Sequence, residues 1–295
     1  IFYNQSLQTR NSFEAGIQQL GGHANYLDSK KIYTPAIEGE EKAYETERVS
    51  DVARVLAKFG DAISIRMYGE PTGWVYGKAH DYMREFAKWS SVPIINMECD
   101  KFHPCQGMVD VMTVKEKLGG FKGKKFVMSG AYSPSIEKPL SVPQSAIIAA
   151  TKMGLDVVQV QPKGFDLDPE IIKACEKNAK DNQSSFEVMY DMDKAFKDAD
   201  AVYPKCWGSK EYFAKGGKGP DLEGMEKLFN QNKHWKCDEA KMKLAKPTAI
   251  YLHCLPADRG WEVTNEVIDG PQSVVFDEAE NRLHVQKAIM SLIMK

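Results

Sequence analysis

No excess of charge of either sign marks this chain: 39 lysines and arginines stand against 41 aspartates and glutamates. Such a balance leaves no electrostatic footprint for nucleic acid or an anionic membrane, so any phosphate must be held locally. Long apolar runs are missing too. None approaches the roughly 20 residues that span a bilayer, and no basic stretch followed by an apolar core opens the chain. Cysteine is sparse and scattered: the six, at 99, 105, 175, 206, 237 and 254, form no CxxC pair and no zinc spacing. They read as reduced thiols, with no metal centre and the cytoplasm as the default compartment. No GxGxxG follows an early strand, so a nucleotide-dependent dehydrogenase lacks its phosphate loop. Nor is there an internal repeat or a low-complexity tract.

What is present suits two domains, because 295 residues exceed the roughly 250 at which single cores stop growing. The chain opens at Ile1, already strand-like, as expected where an N-terminal segment is missing and loops are closed up in the numbering. Strand-like runs at 1–3, 23–27, 62–66, 92–97, 126–128, 156–161, 201–203, 248–252 and 273–276 alternate with helical patterns. The helices fall near 11–20, 47–59, 79–89, 104–118, 144–153, 169–182 and from 277 onward. This alternation predicts α/β domains built on doubly wound parallel sheets. One domain is expected over 1–118 with the C-terminal helix 279–295, the other over 119–278. On the helix at 47–59, Val49, Val52, Ala53, Leu56 and Phe59 are the predicted buried side; on the last helix, Val285, Ile289 and Leu292.

Several residues carry possible chemistry. The run 248–252 delivers His253 and Cys254 at a strand's carboxyl end, followed by Leu255, Pro256, Asp258 and Arg259. Ligands of open α/β sheets bind there, although such a pair alone reads first as buried core. A Cys–His dyad is not expected, because neighbours on a strand face opposite ways. Asn11 with Glu14 forms a candidate capping box, which puts Ser6, Thr9 and Arg10 at a helix start suited to phosphate. Arg66 ends a strand, and its fork fits phosphate oxygens and carbonyls. His103 and Gln106 bracket a first helical turn that holds Pro104. Arg282 stands among Asp277, Glu278 and Glu280, against the preference of the helix dipole, which points to a separate task. The charged stretch 28–45 is long for a compact domain, and 133–143 is stiffened by three prolines.

Taken together, Ser6-x-x-Thr9-Arg10, Arg66, His103-Pro-x-Gln106, His253-Cys-Leu-Pro256 and Glu280-Asn-Arg282 resemble the aspartate and ornithine transcarbamylases over nearly the whole chain. The proline-rich loop is similar to that of the knotted branch, which includes enzymes acting on acetylornithine and succinylornithine. Tyr132-Ser-Pro-Ser, Lys138-Pro-Leu-Ser-Val-Pro-Gln144, Tyr203-Pro-Lys-Cys-Trp207 and Leu255-Pro-Ala-Asp258 most resemble its YgeW-like group.

The resemblance implies a carbamoyltransferase without cofactor or metal. Ser6, Leu7, Gln8, Thr9 and Arg66 would hold the phosphate of carbamoyl phosphate, while His103, Gln106, Cys254, Leu255 and Arg282 would surround its carbamoyl group. His103, Thr9, Arg282 and Cys254 would serve the reaction, and Glu98, Lys205, Asp258, Arg259 and Glu262 the amine. The reverse reaction on a ureido compound is also implied. So is a homotrimer with shared active sites, the 28–45 loop reaching a neighbour.

Two departures stand out. Gln8 replaces an arginine that grips phosphate, which implies weaker binding, help from Lys30 or Lys31, or a non-catalytic anion binder. Asp258 replaces the arginine of the acetylornithine enzyme, and Glu262 stands where that enzyme has a modified, negatively charged lysine. Together they imply a substrate with a second ammonium group, such as a small diamino acid.

Overall fold

The computed structural model describes every residue except Gly216 and Lys295. It contains two compact units, Ile1–Cys105 with Arg282–Lys295, and Gln106–Asn281.

In the first unit, α1 (Leu7–Gln19) starts earlier than the capping box suggests. Ser6 is its N-cap, accepting the Thr9 N–H at 3.1 Å, whereas Asn11 lies inside the helix and donates to the Leu7 carbonyl. The 28–45 stretch is not plain loop: β1 (Thr34–Ala36) pairs in parallel with β2 (Thr46–Arg48). Next, α2 (Val49–Leu56) stops short of Phe59, which is 75% exposed instead of buried. Then β3 (Ile63–Arg66), α3 (Lys78–Trp89) and β4 (Ile94–Glu98) form a parallel strand–helix–strand unit over Val49, Ala53, Ile65 and Phe86. Residues 1–3 run beside β3 through Tyr3 N–H to the Arg66 carbonyl, 2.9 Å, too briefly to make a strand. No strand forms at 23–27. α4 (Pro104–Leu118) begins here and continues into the second unit.

That unit carries β5 (Lys125–Gly130), α5 (Ser141–Lys152), β6 (Asp156–Val160), α6 (Pro169–Asp181), β7 (Phe186–Met189), α7 (Met192–Phe196) and β8 (Ala201–Lys205). α8 (Leu222–Gln231), α9 (Glu239–Met242), β9 (Ile250–Tyr251) and α10 (Asn265–Ile268) follow, and α11 (Val275–Ile293) leads back to the first unit. The five strands are all parallel, in the order β7-β6-β5-β8-β9. Strand order therefore reverses beside β5, and the crevice at the carboxyl ends of β5 and β8 is the topological switch point. β7 and α8 have no counterpart in the sequence pattern. The expected strand at 273–276 is instead the approach to α11, tied to β9 through Val274 N–H to the Tyr251 carbonyl. Pro143 belongs to the first turn of α5, where a missing N–H costs nothing. On α11, Val285 and Met290 are buried while Leu292 is 84% exposed. Among the described residues, no helix is long and apolar enough to cross a membrane.

Candidate active site

The first unit gathers a buried polar cluster at the start of α1 and the ends of β3 and β4. Thr9 is the shared element: its hydroxyl accepts from Arg282 Nη2 at 2.6 Å and from Arg66 Nη1 at 3.4 Å. His103 Nε2 lies 3.5 Å from Arg282 Nη1. Burial first, then the charges of Arg282 and Arg66, push the His103 imidazole well below its usual range, so it is neutral at physiological pH. At the open end of α1, Leu7, Gln8 and Thr9 are its first three residues, whose N–H groups have no partners within a helix. Gln8 Oε1 is buried and has no partner among the described residues. Two guanidiniums beside a helix N-terminus are chemically suited to an anion.

Glu98, expected among the amine contacts, belongs to this cluster. The β3–β4 register sets it opposite Arg66, with which it forms an ion pair, and its Oε2 is 3.7 Å from His103 Nε2. The sequence could not show this, because nothing in it fixes which strand ends meet.

The second unit gathers the remaining residues at the carboxyl ends of β5, β8 and β9. Glu262 is fully buried and receives four protein donors. They are Lys205 Nζ at 3.2 Å, the Cys206 N–H at 2.6 Å, His253 Nε2 at 3.2 Å and the Asp258 N–H at 2.7 Å. The Leu255 N–H donates to His253 Nδ1 at 2.9 Å, which makes Nε2 the protonated nitrogen. Burial alone would raise the Glu262 carboxyl, but Lys205 and His253 outweigh it and hold it well below the carboxylate range. Burial likewise opposes the charge of Lys205, and Glu262 overcomes it, raising the ammonium above its usual range. Glu262 thus has its acceptor sites taken by the protein, which argues against its expected role as receptor for a substrate ammonium.

Other expected contacts are distributed within the same unit. Asp258 Oδ2 accepts from Ser133 Oγ at 2.6 Å and Lys138 Nζ at 2.9 Å. Neither partner was singled out from the sequence, where each is more than a hundred residues from Asp258 and marked only by the prolines around it. Arg259 is half-exposed and bidentate to Asp269, at 2.6 and 2.8 Å, with Asn265 at 3.0 Å. Gln106 donates its Nε2 to Asp110 and to Glu278, both at 2.8 Å, and the His253 N–H donates to Glu278 as well. Burial pushes the Cys254 thiol up to about 11, so it is neither a thiolate nor paired with His253, whose ring is committed elsewhere. Leu255 sits at φ 50°, beyond the end of β9.

Comparison with known proteins accords with this geometry. Residues 1–116 match the aspartate/ornithine carbamoyltransferase carbamoyl-P binding domain, and residues 125–293 match the Asp/Orn binding domain. The ornithine carbamoyltransferase of Pyrococcus abyssi is 40% identical over 294 residues, covering 100% of this chain and 82% of the relative. The N-acetylornithine carbamoyltransferase of Xylella fastidiosa is 39% identical, covering 99% and 86%. Among solved structures, acetylornithine transcarbamylase complexed with acetylcitrulline superposes with a TM-score of 0.92 at 36% identity, covering 100% of this chain and 87% of that one. A mutant N-acetyl-L-ornithine transcarbamylase complexed with carbamyl phosphate and N-succinyl-L-norvaline gives 0.91 at 36% identity, covering 99% and 87%. With both domains matched along nearly its full length, the chain belongs to the aspartate/ornithine carbamoyltransferase family.

Proposed function

We propose that this protein transfers the carbamoyl group of carbamoyl phosphate to a primary amine of a small amino acid of the ornithine or diamino acid type. The observation that carries this reading is the Thr9 hydroxyl held between two buried guanidiniums, Arg66 and Arg282, beside a neutral His103. Ser6, Leu7, Gln8, Thr9 and Arg66 take the phosphate. Thr9, His103 and Arg282 take the carbonyl oxygen, with Gln106, Cys254 and Leu255 as the further carbamoyl contacts that the family resemblance assigns. Lys205, Asp258 and the segment around them serve the amine.

The chemistry needs no strong protein base. The neutral amine nitrogen attacks the carbonyl carbon, a C–N bond forms, and charge grows on the carbonyl oxygen, where fixed donors stabilise it. Collapse breaks the C–O bond to phosphate, which leaves with the electron pair and accepts the amine's proton. Holding both reactants in line supplies much of the remaining acceleration.

We assign the carbamoyl phosphate role to the first unit and the amine role to the second. A homotrimer with the 28–45 segment serving a neighbour's site is part of the same reading, as is the cytoplasm, which suits six free, buried thiols. The test is incubation of purified protein with carbamoyl phosphate and a panel of amines, reading ureido product. Product from at least one amine is expected; none from any of them, with intact folded protein, overturns the proposal. Size-exclusion chromatography giving a fully active monomer overturns the trimer.

A further inference from the structure

Arg66 touches a second hydroxyl besides that of Thr9. The backbone leaving β3 is extended, so residues two apart share a face. Met67 turns into the core, 1% exposed, with its N–H on the Glu98 carbonyl at 2.9 Å. Tyr68 therefore returns to the side of Arg66. Its Oη accepts from Arg66 Nη2 at 3.2 Å, and the guanidinium carbon lies 5.3 Å from its ring centroid. The other terminal nitrogen, Nη1, donates to the Thr9 hydroxyl at 3.4 Å. One guanidinium thus carries a hydroxyl on each of its terminal nitrogens. Because Tyr68 accepts in this bond, its own hydrogen is directed elsewhere, and a phenol polarised by a cation is the stronger donor for it.

Tyr68 is also fixed in place. The Asn4 amide meets its backbone twice, Nδ2 donating to the Tyr68 carbonyl at 3.1 Å and Oδ1 accepting the Tyr68 N–H at 2.9 Å. These bonds continue, through a side chain, the pairing of residues 1–3 with β3, and Asn4 stands two residues before the Ser6 cap of α1. On its other side the chain turns at Gly69, φ 71°, where a Cβ would lie 2.8 Å from the Trp74 ring. The helix start itself brings no cation. Ser6, Leu7, Gln8 and Thr9 are neutral, and Arg10 is bonded to Glu14 at 2.9 Å and stacked on Tyr26 at 3.7 Å. An anion at this helix start depends on the groups around Arg66 and Arg282.

We propose that the Tyr68 hydroxyl is a further donor to the phosphate of carbamoyl phosphate, and that Asn4 is the residue that positions it. The inference rests on the carbamoyl transfer reading above and adds a neutral donor to its phosphate contacts. No proton is transferred: the phenol donates a hydrogen bond and keeps its hydrogen.

The probe is inorganic phosphate, the leaving group, titrated calorimetrically into the parent protein and its variants. Tyr68→Phe keeps the ring beside Arg66 and removes only the hydroxyl. Its phosphate Kd should rise about 10- to 100-fold, the worth of a hydrogen bond to a charged group. In turnover, the KM for carbamoyl phosphate should rise with a smaller change in kcat. Asn4→Ala should lose about as much, and the double variant no more than either alone, because Asn4 acts through Tyr68. Thermal melting checks that each variant is folded; should Asn4→Ala unfold, Tyr68→Phe decides alone. A phosphate Kd raised less than about 3-fold in Tyr68→Phe overturns the proposal, and additive losses in the double variant overturn the part given to Asn4. If no amine is carbamoylated yet Tyr68→Phe weakens phosphate, the function proposed above falls and the donor stands. If ureido product forms and Tyr68→Phe binds phosphate like the parent protein, the donor alone falls.

Discussion

The two units handle charge in opposite ways. In the first, Arg66 and Arg282 converge on one threonine hydroxyl and Glu98 is ion-paired to Arg66, so of these three charges two are positive. In the second, Lys205 meets Glu262 and Lys138 meets Asp258, so positive and negative cancel pair by pair. A surplus recruits an ion of the opposite sign; a balanced set orders loops and selects for shape. The contrast predicts that changes in the first unit act on the reaction and changes in the deep pair of the second act on the fold.

The largest effect should come from Glu262→Gln, which leaves the Lys205 ammonium buried without its partner. Breaking a buried pair in this way costs about 3–5 kcal/mol, visible as a lowered Tm at neutral pH. The pH dependence has a definite sign. Because the folded Glu262 carboxyl lies well below its ordinary value, its stabilisation is complete above the unfolded value of roughly 4.3 and is lost as pH falls through the folded one. The gap in Tm between parent and variant should therefore narrow on acidification below about pH 4; a gap that widens there breaks the comparison.

Next is Arg282→Met, which keeps the bulk of the side chain and removes donors from the developing oxyanion. Steady-state kinetics should give a kcat lower by about 10²- to 10³-fold. If the variant instead melts as early as Glu262→Gln with kcat preserved, the division of labour between the units is wrong. The smallest effect belongs to Cys254→Ala. A thiol pushed up to about 11 is neutral at working pH and supplies no nucleophile. Its replacement should leave kcat within about 10-fold, the loss reflecting one buried sulfur atom. Abolished turnover would show that the second unit does chemistry as well as recognition.

How far the sequence reached depends on what each residue needed. Ser6, Thr9, Arg66, His103 and Arg282 were legible because helix starts and strand ends are local events, marked by caps, prolines and charges out of place. The partner of each was not. Glu98 opposite Arg66 requires the parallel register of β3 and β4, and Ser133 and Lys138 on Asp258 require a loop to fold back on the far side of the sheet order. Glu262 was read as facing substrate because its charge was visible and its four donors were not. The short elements fared worst: β7 pairs at the sheet edge over four residues, and 273–276 looks like a strand until Val275 proves to open a helix.

Glu98 gives the first unit a property of its own. With a carboxylate on Arg66, the guanidinium has a counter-ion supplied by the protein itself. An incoming anion therefore competes for an occupied partner instead of falling into a bare one. Some affinity is surrendered in that exchange, and what is gained is a site that holds its shape while it waits.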